Sequence, residues 1–175
     1  MFSDPKDNVN KFSLNSGDFV ADFGAGSGFY TLAASDAVGG GGKVYAIDVQ
    51  KDLLLKIKNI ANAQHKTNID VVWADLEHLG GTKLRSLSLD AVIAANVFFQ
   101  FENKENPCLE IKRILKKGGR VLLIDWSSSF GGIGPHPDSV FNAGKAKDLF
   151  IKNGFEYDRE ISAGTQHYGI IFRNK

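Results

Sequence analysis

The sequence predicts a three-layer α/β domain with a mostly parallel sheet. Three observations carry that expectation. Short β-type runs alternate with helical patterns along most of the chain. The run at residues 89–95 is apolar at almost every position, as in a parallel strand covered on both faces. Two runs near the C-terminus lie too close together for a crossover and read as an antiparallel hairpin.

Each element has its own signal. Residues 18–23 form a β run that ends in glycines, and residues 30–38 then read as helix. Residues 43–48 are the next strand, after a Gly39–Gly42 turn. Leu53, Leu54, Ile57 and Ala61 recur at helical spacing through Gln64. Residues 69–74 and 89–95 are the third and fourth strands. Leu109, Ile111, Ile114 and Leu115 mark a helix stopped by Lys116-Lys117-Gly118-Gly119, with cations and then glycine at its end. Residues 120–126 are the fifth strand, and a Gly/Pro-rich loop covers 127–137. Asp138 is expected to cap a helix over 138–152, ended by Asn153-Gly154. Strands at 155–161 and 166–172 then pair through a turn around Ala163-Gly164. Residues 1–16 form a short helical lead, and residues 17–175 the core of a single domain.

Composition narrows the function. The chain has 175 residues, the length of one domain, and is 43% hydrophobic, which excludes disorder. Its 21 Lys and Arg against 20 Asp and Glu leave a net charge of +1, unlike a sequence-independent nucleic-acid binder. No apolar run approaches the roughly 20 residues of a membrane helix, and the first residues lack a signal-peptide pattern. A cytoplasmic location is expected. Cys108 is the only cysteine, so disulfide frameworks and cysteine zinc sites are excluded, and no metal is expected. At a helix start after Pro107, it reads as a packing thiol.

The most informative stretch is Asp22-Phe23-Gly24-Ala25-Gly26-Ser27-Gly28-Phe29, a strand end, a glycine turn and a helix start. Glycines allow positive φ and a close backbone approach, and a helix N-terminus suits an anionic group. A dinucleotide loop wants glycine where Phe29 stands, and no Gly-Lys-Ser/Thr follows for a P-loop. Acids instead follow in order: Asp22 before the glycines, Asp48 at the end of the second strand and Asp75 after the third. A carboxylate at Asp48 can accept both hydroxyls of a ribose, with charge-assisted bonds worth about 1.5–3 kcal/mol each.

Together these residues resemble the class I S-adenosylmethionine-dependent methyltransferases, and the resemblance runs nearly end to end. It implies a Rossmann-like, seven-stranded sheet with S-adenosylmethionine as cofactor and S-adenosylhomocysteine as product. By that resemblance Asp22 lies near the methionine amino group, and Gly24, Ala25, Gly26 and Gly28 pass under the methionine. Asp48, followed by Val49, holds the ribose. Asp75 bonds the adenine amino group, Leu76 offers its backbone N–H to the ring, and Asn96 stands beside the methyl group. Residues 110–120 (Glu-Ile-Lys-Arg-Ile-Leu-Lys-Lys-Gly-Gly-Arg) look like the "RVLKPGG" segment of the small-molecule branch typified by ubiquinone/menaquinone methyltransferases, with Lys117 replacing its proline. Gly134-Pro135-His136-Pro137 and His167-Tyr168-Gly169 sit where that branch carries similar motifs.

The acceptor side is read from the segments after strands four and five. Phe98, Phe99, Phe101 and Trp126 are expected to wall an apolar site, the phenylalanines equally able to pack in the core or a lid, with His136 its candidate base. His167 reads as structural, His65 and His78 as exposed loop residues, and Tyr30 as facing the methionine or packing. Asn96-Val97-Phe98-Phe99 lacks the prolines of amino methyltransferases acting on DNA, and one cysteine argues against arsenite methylation. Residues 4–14 are a short lead, so the acceptor site should be open, or completed by a second subunit or a macromolecule. The acceptor is expected to be a small molecule. The alternatives are a protein or RNA acceptor, or a non-catalytic module that binds the cofactor.

Overall fold

Seven strands form one sheet in the order β3-β2-β1-β4-β5-β7-β6 in a computed structural model that describes residues 3–175. The strands are β1 (Phe19–Phe23), β2 (Lys43–Asp48), β3 (Ile69–Trp73), β4 (Leu89–Ala95), β5 (Leu115–Trp126), β6 (Phe155–Ser162) and β7 (His167–Asn174). The pairs β1/β2, β2/β3, β1/β4 and β4/β5 are parallel, whereas β7 runs antiparallel to both β5 and β6. The helices are α1 (Pro5–Phe12), α2 (Phe29–Val38), α3 (Lys51–Ala63), α4 (Glu105–Ile114) and α5 (Ala143–Lys152). This is the predicted three-layer architecture with its C-terminal antiparallel pair.

Alternation within the strands builds the two cores. Val20, Val44, Ala91, Ile93, Leu122, Ile124 and Ile171 face Val9 and Phe12 of α1 and Ala33, Ala34 and Val38 of α2. Their neighbours Ala21, Phe23, Val92, Ala94, Val121, Leu123, Ile170 and Phe172 face Ile111 and Ile114 of α4 and Phe150 of α5. No helix among the described residues is long and apolar enough to cross a membrane.

The structure corrects two element boundaries. β5 begins at Leu115, paired with Leu89, and an irregularity at Lys116–Gly119 precedes the regular register from Arg120. Leu115 leaves the helix because its side chain is fully buried and Asn174 captures the freed carbonyls. The Asn174 Nδ2 donates to the oxygens of Lys112, Leu115 and Lys116. Nor does one helix span 138–152. Residues Pro137–Ser139 form a single 3₁₀ turn, Asn142 Oδ1 caps α5 through the Lys145 N–H, and Asp138 does not start α5. The helix is interrupted because Phe141 is drawn inward, its ring stacked on Phe98 and its carbonyl accepting the Tyr168 hydroxyl at 2.7 Å.

The connection from β3 to β4 carries no helix, so its backbone groups need other partners. Glu110 on α4 supplies them, accepting the N–H of Gly80 (2.7 Å) and the hydroxyl and N–H of Thr82. Arg113 closes the cluster with two bonds to Glu110, one to the Leu84 carbonyl and one to the Ser86 hydroxyl. Burial raises the Glu110 pKa, but the bonds from Arg113, Thr82 and Gly80 outweigh it and hold the carboxyl at about 2. Glu110 is fully buried and Arg113 largely so, and removing the carboxylate strands the donors gathered on it. Glu110→Ala is therefore expected to lower the unfolding free energy at neutral pH by about 3–5 kcal/mol, read by urea titration. Because the folded pKa is depressed, the contribution of Glu110 is present above the ordinary value of 4.5 and fades as pH falls through about 2. A loss below about 1 kcal/mol would mean that the connection is held elsewhere.

Candidate functional site

In a parallel sheet whose order reverses at β1 and β4, a crevice opens beyond the carboxyl ends of those strands. A cavity of about 580 Å³ occupies it, lined by the segments that follow β1, β2, β3 and β4. Ser3 and Pro5 close one side.

The glycine turn is shaped by three carbonyl contacts. Gly24 and Ala25 both donate to the Ile47 carbonyl at 2.9 Å, and Gly28 donates to Ala25 at 2.8 Å. Gly24 has φ +89, and a Cβ there would fall 2.5 Å from Val97 Cγ2, so only glycine lets β1 and the β4 connection approach so closely. Gly26 has φ +50 and faces open space. Gly28 corrects the sequence reading: it is not among the lining residues, and a Cβ would lie 2.7 Å from Ile57. Its role is to seat α2 against α3.

The three acids reach the cavity in the expected order. Asp22 is buried and accepts the Thr31 hydroxyl at 2.6 Å. Burial pushes its carboxyl up to about 6, with the nearby Asp48 charge adding to the effect of burial and the Thr31 bonds opposing it. Asp48 is 7% exposed and accepts the N–H of Gly26 and of Gln50, each at 2.9 Å and on different oxygens. One lone pair on each oxygen remains. Asp75 is exposed, accepts the Glu77 N–H at 2.9 Å and pairs with His78 Nδ1 at 2.8 Å. The Glu77 bond leads in holding its pKa below the ordinary value. His78, expected as an exposed loop residue, is thus the partner of a cavity acid.

Val49 and Leu76 also line the cavity, and the Val49 carbonyl accepts Trp73 Nε1 at 2.9 Å. Asn96 also lines it. Its φ of +55 turns the chain off β4, and its Oδ1 is buried with no hydrogen-bond partner among the described residues. A buried acceptor without a donor costs about 1–3 kcal/mol. The glycine cradle and ordered acids fit a nucleoside bearing an amino acid.

The acceptor side differs from the expectation. Phe98 is wholly buried, packed on Phe101, Phe141 and Phe150, and belongs to the core. Phe99 is half-buried outside the cavity lining, its N–H bound to Asp125. Trp126 stacks on His167 with centroids 4.4 Å apart and lies under Gly134, again outside the lining. His136 is exposed, 3.4 Å from the Asp138 carboxylate, and the structure does not bring it to the cavity. Four aromatic residues after β4 and β5 suggested a wall, but pattern alone does not say which of them turn inward. Of the four, Phe101 does line the cavity, together with Val97, Gln100 and Tyr30, and Phe29 stands at its exposed rim. The Tyr30 hydroxyl lies 2.9 Å from Ser3 Oγ and accepts Asn8 Nδ2 at 2.9 Å, which ties α1 to the cavity. Both ring nitrogens of His167 are buried without a hydrogen-bond partner among the described residues, and burial lowers its pKa.

Comparison with known proteins agrees with this geometry. The chain is 29% identical over 120 residues to a ubiquinone/menaquinone biosynthesis C-methyltransferase, UbiE, from Hahella chejuensis, covering 68% of this chain and 47% of that protein. It is 27% identical over 124 residues to an arsenite methyltransferase from Halobacterium salinarum, covering 71% of this chain and 30% of that protein. The chain thus spans about half or less of the length of these curated relatives. A SAM-dependent methyltransferase structure from Aquifex aeolicus superposes with a TM-score of 0.88 at 27% identity, covering 98% of this chain and 89% of that one. Residues 21–123 match the family model described as a methyltransferase domain. With its glycine turn and ordered acids inside that match, the chain belongs to the methyltransferase domain family.

Proposed function

We propose that this chain transfers the methyl group of S-adenosylmethionine to a small-molecule acceptor. The observation that carries the reading is the convergence of Asp22, Asp48, Asp75 and the glycine turn on one cavity, which Asn96 also lines. When bound, the cofactor supplies an electrophilic methyl group on a sulfonium. Asp22 would face the methionine ammonium, Asp48 the ribose hydroxyls, and Asp75 with Leu76 the adenine. Asn96 and the turn after β4 would stand beside the methyl group.

A cavity of about 580 Å³ matches a single drug-sized ligand, so the cofactor takes most of it. The acceptor then meets the methyl at the side formed by Tyr30, Val97, Gln100 and Phe101. No histidine lines that side among the described residues, so alignment and an already nucleophilic acceptor atom are the main sources of rate. The name of the Hahella chejuensis relative supports an acceptor that is a planar quinone precursor methylated at carbon. Cys108 is buried with its thiol pushed up to about 12, chiefly by burial, which disfavours an arsenic acceptor despite the Halobacterium salinarum relative.

Three outcomes are expected. Calorimetry should show S-adenosylhomocysteine binding and no comparable binding of NAD. Asp48→Ala should weaken that binding by about 2–4 kcal/mol, and Asp75→Ala by less, since its carboxylate is solvated. Parent-like affinity in both variants would remove the acids from the site.

A second test uses pH. Since the Asp22 pKa is raised to about 6, its charge is fully present above that pH and is lost as pH falls through it. Affinity for the cationic amino acid moiety should fall on the same path, and Asp22→Asn should flatten the profile. An unchanged slope in the variant would remove Asp22 from the methionine end.

Finally, labelled S-adenosylmethionine incubated with size-fractionated cell extract should place the transferred methyl in the small-molecule fraction. Label in protein or RNA would reassign the acceptor, and binding without any transfer would leave a cofactor-binding module.

A further inference from the structure

One carboxylate at the acceptor end of the sheet has no part in the cofactor reading. Asp125 is the penultimate residue of β5 and is fully buried. Its Oδ1 accepts the N–H of Trp126 at 2.8 Å, and its Oδ2 accepts the N–H of Phe99 at 3.1 Å. Phe99 is the middle of the 3₁₀ turn Phe98–Gln100, which follows β4 and ends at the cavity residues Gln100 and Phe101. The first N–H groups of a helical turn have no partner inside it. A strand-end carboxylate on β5 therefore satisfies the turn that leaves the neighbouring β4.

The surroundings reinforce the same turn. Lys104 Nζ donates to the Phe101 carbonyl at 2.6 Å. Tyr168, opposite Asp125 in the β5–β7 register, holds the Phe141 carbonyl, and Phe141 stacks on Phe98. The turn is thus gripped by its ring on one side and by its backbone on the other.

We propose that Asp125 is a positioning residue for methyl transfer, its carboxylate pegging the turn after β4 and so setting where Val97, Gln100 and Phe101 meet the acceptor. This inference rests on the methyl-transfer reading of the cavity. Asp125 acts through the turn, since it is not among the residues lining the cavity. Both of its oxygens receive N–H donors, so an amide in its place must turn its own NH₂ against one of them.

Burial pushes the Asp125 carboxyl up to about 7, against the opposing pull of the Trp126, Phe99 and Phe98 N–H groups and the Lys104 ammonium. The other titratable group facing it is the Tyr168 hydroxyl, which burial, and then the Asp125 charge, hold protonated well above its ordinary range. The charged peg is therefore complete above neutral pH and discharges as pH falls through about 7.

Nuclear magnetic resonance on the full chain tests this. The Phe99 and Trp126 amide resonances should titrate together with a midpoint near neutral pH, and neither transition should survive in Asp125→Asn. At pH about 8, hydrogen exchange over residues 98–101 should rise about tenfold or more in Asp125→Asn, since that ratio corresponds to one lost hydrogen bond. Affinity for S-adenosylhomocysteine should stay within about twofold, because the cofactor contacts are untouched. At saturating S-adenosylmethionine, labelled methyl transfer to the extract fraction should decline through about pH 7 in the parent and be slower, without that step, in Asp125→Asn.

Unchanged exchange in the variant, or a transition that survives there, overturns the peg. If Asp125→Asn does not fold, the parent decides, and independent midpoints for the two amides overturn the proposal. A parent that shows the coincident titration yet binds no S-adenosylhomocysteine overturns the methyl-transfer reading, and with it the catalytic consequence of the peg.

Discussion

The carbonyl of Ile47 accepts two N–H groups, those of Gly24 and Ala25, and the rest of the site depends on that shared bond. It folds the chain sharply off β1 toward β2 while the backbone is still within contact of Val97. The next N–H, that of Gly26, is then presented to Asp48. One turn thereby fixes the glycine cradle, orients the acid after β2 and sets the distance between β1 and the β4 connection. Any side chain at Gly24 would push Val97 away and open the crevice at its narrowest point. The electrostatics follow from the same compaction, since Asp22 is desolvated by the elements that the turn draws together.

How much of this was legible in the sequence depends on the range of the interaction. The strands, the glycine turn and the acids at three successive strand ends are local patterns, and all were readable because alternation and turn chemistry act over a few residues. Sequence pattern groups Gly28 with the cofactor loop because its neighbours are there, yet its constraint is Ile57, a residue on another helix. Phe98 and Phe99 were expected at the acceptor because aromatic residues followed β4. The structure sends the ring of Phe98 into the core, since Phe141, Phe150 and Phe101 offer it a complete apolar enclosure. Asp125 gave no signal, as its partner Phe99 is 26 residues away and is met only through strand pairing. The capping of α5 by Asn142 was likewise hidden by Asp138, an equally good capping residue in the same loop.

The Glu110–Arg113 cluster and the Asp125 peg solve related problems in different ways. Each lets one carboxylate satisfy backbone donors in a connection that lacks regular structure of its own. Glu110 has a guanidinium beside it and stays ionised far into acid, so the β3–β4 connection is fixed across the physiological range. Asp125 has only N–H donors and a more distant ammonium, so its charge is held less firmly. The contrast separates a permanent brace, remote from the methyl, from a support whose strength varies with conditions beside it.

The hydroxyl of Tyr30, the hydroxyl of Ser3 and the amide of Asn8 form a triangle of hydrogen bonds between 2.8 and 2.9 Å at the edge of the cavity. Pulling the Ser3 segment aside gives up the two contacts made by Ser3 and loosens the third. At about 0.5–1.5 kcal/mol net for each, the swung-out state lies about 1.5–4 kcal/mol above the closed one. Roughly one molecule in ten to one in a thousand is then open at any instant. Loop segments of this kind move in nanoseconds to microseconds. Even at the slow end, where it opens about 10³ times per second, this latch would let spent cofactor leave at the pace of common turnover numbers, about 1–10³ per second.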